Sequence, residues 1–149
     1  MTATVGLLQR HHSAANGLYL DLVDTLTPEL LRTRIPGVRS SPVRNHFWCV
    51  VGGRESYLRA ARAGSWQGFA SSLDADDDPG AVRAALERTA AEVATWLGEL
   101  SPDDEHGAEW ALHLIEHETQ HHGQLIRYFY AVPLTIPRSW VDHYALEEA

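Results

Sequence analysis

The chain predicts an all-α fold, a four-helix bundle with long crossover connections, in a single domain covering residues 1–149. Three observations lead there. Four segments of about 20 residues repeat apolar side chains at spacings of three and four, the period of an α-helix. Start and stop signals punctuate them at Thr27-Pro28, Ser41-Pro42, Asp78-Pro79 and Pro133. No stretch alternates apolar and polar residues as a half-buried strand does. Helices of that length reach about 30 Å, which suits a bundle.

The first helix is expected from about Val5 to Leu26, with Leu8, His11, Ala15, Leu18, Leu22 and Leu26 on one stripe. Thr27-Pro28-Glu29 then caps a short helix that ends near Leu31, before Ile35-Pro36-Gly37. The second long helix runs from Ser41-Pro42 to Ala63-Gly64, and residues 65–78 read as a loop. Asp78-Pro79 opens the third, which turns Val82, Leu86, Val93, Trp96, Leu97 and Leu100 inward. The fourth runs from about Asp104 to Tyr130. The tail, with Trp140 and Tyr144, is expected to pack on the bundle. Connections of about 15 residues before the second and third long helices allow neighbours to run parallel.

Composition narrows the function classes. Apolar content is 44%, ordinary for a globular chain. The net charge of −8 and the scatter of the 12 basic residues argue against nucleic-acid or anionic-membrane partners. Cys49 is the only cysteine, so no internal disulfide and no cysteine-built zinc cage can form. The chain shows no secretory signal and no apolar run long enough to span a membrane, so a cytoplasmic location is expected.

The chemistry concentrates in Glu116-His117-Glu118-Thr119-Gln120-His121-His122-Gly123-Gln124-Leu125. Trp110, Leu114, His117, His121, Gln124 and Tyr128 follow one another at spacings of 4, 3, 4, 3 and 4, within an arc of about 80°. His117 and His121 therefore face inward, one turn apart, where they can grip one ion. On the second long helix Val43, His46, Val50, Gly53 and Tyr57 form a matching seam. His46, His117 and His121 are thus the candidate metal ligands. Three imidazoles suit zinc, nickel or iron(II) and leave a coordination position open, as catalytic sites do. Gln124 and Glu118 are candidates to orient a ligand or shuttle a proton. Tyr57, Trp110 and Tyr128 are candidates to wall the cavity.

Other residues fit a site less well. His113 lies about 40° from His117 and reads as a wall residue or an outer hydrogen-bond partner of a ligand, and His11 sits on the first stripe as a weaker ligand candidate. His122 points about 140° from His117 and is expected in solvent or on another face. Cys49 reads as a small buried hydrophobe. Asp74, Asp76 and Asp78 resemble a calcium loop, but Pro79 and Ala85 stand where the glycine and the closing glutamate belong. The pattern H-E-x-x-H would make Glu118 the general base of a peptidase, yet no strand is available to align a peptide. A di-iron carboxylate site would need a second Glu-x-x-His pair, which the chain lacks.

These residues resemble the DinB/YfiT-like superfamily of four-helix bundles, which includes mycothiol-dependent maleylpyruvate isomerases and bacillithiol transferases. Asn16-Gly17-Leu18-Tyr19 is similar to its first-helix signature. Asn45-His46-Phe47 with Glu55 is similar to its second-helix histidine and trailing acid. His117 to Leu125 is similar to its H-x-x-x-H-R-G-Q signature, with His122 where arginine is common. The resemblance covers nearly the whole chain. It implies helices in up-down-down-up order and one divalent metal, zinc or nickel, on His46, His117 and His121. It also implies chemistry with a low-molecular-weight thiol such as mycothiol or bacillithiol. The resulting expectation is a metal-dependent thiol transferase or isomerase acting on a small electrophile. A hydrolase using metal-bound hydroxide and a non-catalytic, metal-stabilised bundle are the alternatives. A homodimer is compatible with a bundle of this size.

Overall fold

The first long helix ends three residues earlier than the periodicity suggests. It spans Ala3–Val23 (α1), and Leu26 is buried from the turn that follows. The computed structural model describes residues 3–147. Among them are six helices and no strand: α1, then α2 (Pro28–Leu31), α3 (Val43–Ala63), α4 (Pro79–Glu99), α5 (Glu105–Ala131) and α6 (Arg138–Tyr144). None is long and apolar enough to cross a membrane.

The boundaries follow local chemistry. Thr27 caps α2 by accepting a hydrogen bond from the Leu30 amide. Asp78 and Asp104 cap α4 and α5 by accepting from the amides of Gly80 and Gly107. Each side chain satisfies an amide that has no partner inside its own helix. Helix α3 starts without a side-chain cap; instead the Val43 amide donates to the Thr33 carbonyl, 2.9 Å away. That bond closes residues 33–43 into a loop with its ends together. The tail does pack, and it forms a helix that the periodicity does not reveal. Trp140 of α6 is fully buried, and its indole N–H donates to the Leu18 carbonyl at 2.7 Å.

Each of the four long helices contacts two others, in the cyclic order α1, α4, α3, α5. Along α1 and α4, Asp24 pairs with Arg83 while Leu8 shares a cluster with Leu97. Along α3 and α5, His46 meets Tyr128, Arg54 meets Glu118 and Tyr57 meets Trp110. The apolar core has two parts. One gathers around Tyr19, Phe47, Leu86 and Leu125, and the other around Leu8, Leu58, Trp96 and Leu114.

On every long helix a polar residue falls between those two sets: Asn16, Arg54, Thr89 and Glu118. Arg54 joins them. Its Nε and Nη2 donate to the two Glu118 carboxylate oxygens at 3.1 and 2.8 Å. Its Nη1 donates to Asn16 Oδ1, the Leu86 carbonyl and Thr89 Oγ1. Both charges are fully buried, and burial without such pairing would be prohibitive.

Residues 64–78 cross between α3 and α4 and lie along α3. Ser71 Oγ donates to the Trp48 carbonyl, and the Ser72 amide donates to Glu55. Phe69 lies against Trp48, and Trp66 lies against Tyr57 and Trp110. These aromatic residues act as a clasp. The acidic stretch that follows is tied to the protein by two ion pairs, Arg44–Asp76 and Arg32–Asp77.

Candidate metal centre

The seams predicted on α3 and α5 face each other. His46 and His121 have ring centroids 5.2 Å apart, and His121 and His117 are 4.7 Å apart. Tyr128 adjoins His46 at one end of this row, and Tyr57, then Trp110, adjoin His117 at the other. The three expected histidines thus lie in one row, but the side chains whose donor atoms all come within 4.8 Å of one another are Cys49, His117 and His121, and His46 is not among them. Of the three expected wall residues, Tyr128 lines a cavity. Gln124 is exposed and lines a cavity beside His46 and Tyr128.

Hydrogen bonding orders the protons along the row. The Tyr128 hydroxyl donates to the Ser41 carbonyl, so its oxygen must accept from His46 Nε2, 3.3 Å away. His46 Nδ1 is then a lone pair, and it faces His121 Nδ1 at 2.9 Å. His121 Nδ1 must carry the proton, which leaves its Nε2 as a lone pair facing His117 Nε2 at 3.3 Å. One lone pair remains at the end of the sequence. It belongs to His117 Nδ1, a buried atom with no partner. One ring nitrogen of the row is therefore left without a donor. An ion between His121 and His117 would require His117 to carry its proton on Nδ1 instead, and the 3.3 Å between the two Nε2 atoms is what two nitrogens show when each lies about 2.0–2.1 Å from one tetrahedral ion.

Electrostatics keep the rings neutral, as ligands must be. Burial lowers His46 to about 4. Burial, then the neighbouring His117 and His46, lowers His121 to about 3. Burial also lowers His117, against the pull of Glu118.

Cys49, expected as a packing residue, also lies beside His117 and His121. Cys49, His117 and His121 offer one donor atom each within 4.8 Å of one another, a group that could hold a metal ion. Burial raises the Cys49 thiol above its ordinary pKa. The signal in the sequence was the i, i+3 spacing of His46 and Cys49, which puts both on one side of α3. Gly53 makes room for the cluster. A Cβ there would lie 2.6 Å from His117 Cε1 and 2.8 Å from its Nδ1.

Three expectations are corrected. Glu118 does not serve the cluster: it is fully buried and both its oxygens are held by Arg54. Burial raises its pKa, but Arg54, with His12 and His122, pulls it below the usual carboxylate range. A carboxylate locked in an ion pair and closed to water is a counter-ion, and the general-base role of an H-E-x-x-H peptidase fails with it. His122 is buried, with Nδ1 2.6 Å from the Tyr144 hydroxyl and its ring packed between Tyr19 and Trp140. The buried histidine of α1 is His12, 3.6 Å from Glu118, while His11 is exposed. His113 is exposed too, beside Trp110.

Compared with protein-family models, curated proteins and solved structures, the chain matches none.

Proposed function

We propose that the chain is a divalent-metal-dependent enzyme of the DinB/YfiT-like type, a thiol-dependent transferase or isomerase that acts on a small electrophile. The observation that carries this reading is the row of three neutral, adjoining imidazoles with one buried lone pair left over. In this reading the fold is a four-helix bundle in up-down-down-up order. Residue pairs support it: α1–α4 and α3–α5 contacts pair the start of one helix with the end of the other. Val50 and Val82, in the first halves of α3 and α4, share one cluster, and Leu58 and Trp96, in their second halves, share the other.

His46, His117 and His121 hold the ion, zinc or nickel. Tyr128 fixes His46 with its Nε2 protonated and its Nδ1 as the lone pair, which faces His121 and would turn to the ion in place of that contact, as an outer hydrogen bond fixes many metal-bound histidines. A bound ion would keep a coordinating thiol deprotonated at neutral pH, which supplies a nucleophile. Gln124 and Tyr128 wall one approach to the cluster, and Tyr57 and Trp110 the other.

Elemental analysis of purified variants tests the ligand set. His117→Ala and His46→Ala should each strip the protein of stoichiometric zinc or nickel, while Cys49→Ala should retain it. Loss in Cys49→Ala with retention in His46→Ala would replace His46 by Cys49. The transferase reading is tested separately, by turnover of a model electrophile with mycothiol, bacillithiol and glutathione. Metal-loaded protein inactive with all three would remove it.

A further inference from the structure

The chain has no lysine, so all 12 basic side chains are arginines. Among the described residues six of them form ion pairs: Arg32, Arg44, Arg54, Arg83, Arg88 and Arg138. Three of the others, Arg34, Arg39 and Arg127, line one cavity of about 580 Å³. Among the described residues no acidic one lines that cavity, in a chain with 20 of them and a net charge of −8. His46, Gln124 and Tyr128 complete its inner wall, so the cavity opens onto the end of the imidazole row.

The three exposed arginines are carried on backbone anchored from two sides. Arg127 stands on α5, one residue before Tyr128. Arg34 and Arg39 stand on the loop closed by the Val43–Thr33 bond. Within that loop Arg34 Nη1 donates to the Ser40 carbonyl, and Ser40 Oγ accepts from the Ile35 amide. Tyr128 ties the loop to α5 through the Ser41 carbonyl. Among the described residues no carboxylate forms an ion pair with any of the three. Three unneutralised guanidiniums around one cavity repel one another unless an anion sits among them, and guanidiniums bind carboxylate or phosphate oxygens in pairs. The volume suits a small molecule.

We propose that this cavity binds a small ligand carrying at least two negative charges on oxygen, as a dicarboxylate or a phosphate, through Arg34, Arg39 and Arg127. As the substrate pocket of the metal centre it rests on the function proposed above. The anion site itself needs no metal.

The test is calorimetric titration of the full chain, stripped of metal by a chelator, with succinate and with inorganic phosphate. The uncharged succinamide serves as control. Saturable binding of either anion, and none of succinamide, is expected. The double variant R39Q/R127Q should weaken binding at least about tenfold, because it removes charge-assisted hydrogen bonds. R10Q/R62Q, which lowers the net charge equally at exposed arginines outside the cavity, should leave binding unchanged. No saturable binding of either anion below about 10 mM, or equal weakening by both double variants, would overturn the proposal. R39Q/R127Q should also retain full metal content. Failure of anion binding is thereby separated from failure of the metal centre, which the elemental analysis reads on its own.

Discussion

Gly53 has no side chain where His117 needs the space. A methyl group there would come within 2.6 Å of the ring, and the ring would have to turn away from His121. Alanine also favours a helix over glycine by about 1 kcal/mol, against about 1–3 kcal/mol for overpacking. The two effects nearly offset each other. Gly53→Ala should therefore change unfolding free energy by less than about 2 kcal/mol while weakening zinc or nickel binding at least about tenfold. Metal titration and thermal melting check both halves. Unchanged metal affinity would show that the close approach does not position His117. Gly52 has the matching role toward the clasp, where a Cβ would lie 2.5 Å from Phe69 Cζ. Neither requirement is visible in the sequence, because only the approach of α5 and of residues 64–78 to α3 creates it.

At the scale of elements, Arg54 reaches α1, α4 and α5 from α3. Removing one partner of a fully buried pair leaves the other charge stranded, at a cost of about 3–5 kcal/mol. Glu118→Gln should accordingly lower the melting temperature by roughly 10 °C, at about 2–4 °C per kcal/mol in a chain of this length. The apolar double variant Arg54→Met/Glu118→Leu should recover much of that loss, since it strands no charge. A Glu118→Gln protein with wild-type stability would refute the counter-ion assignment. Helical spacing placed Glu118 about 100° from His117. It did not say that this direction leads into the protein, because helix α1 packs against that face and turns His12 and Tyr19 toward it. The same packing buries His122 and leaves His11 outside, the reverse of the reading from spacing alone.

Across the whole molecule, four buried histidines resist protonation. Burial lowers His12, His46 and His122 to about 4 and His121 to about 3. Their unfolded-state value is about 6.5. Above that pH both states are neutral and the groups impose no penalty. As pH falls from about 6.5 toward 4 the unfolded chain takes up protons that the folded chain refuses, and stability declines. Each such histidine contributes up to about 1.4 kcal/mol per pH unit in that window. Denaturant unfolding of chelator-treated protein at pH 7, 6 and 5 should show this decline. The variant His12→Asn should flatten it by about one proton's worth. Equal stability at pH 7 and pH 5 would mean that these rings are not held neutral.

The pairing of His117 with His121, the facing of His46 into a seam, and the caps at Thr27, Asp78 and Asp104 were all determined by the sequence alone. Those features depend on spacing within one helix or on a side chain and the next few amides, and both are set by local backbone geometry. The entry of Cys49 into the cluster, the burial of Glu118 with Arg54, and the gathering of Arg34 and Arg39 with Arg127 were decided only by the tertiary structure. Each joins groups far apart along the chain. Their meeting depends on how the helices are rotated against one another and where the loop of residues 33–43 closes, and no local period encodes either.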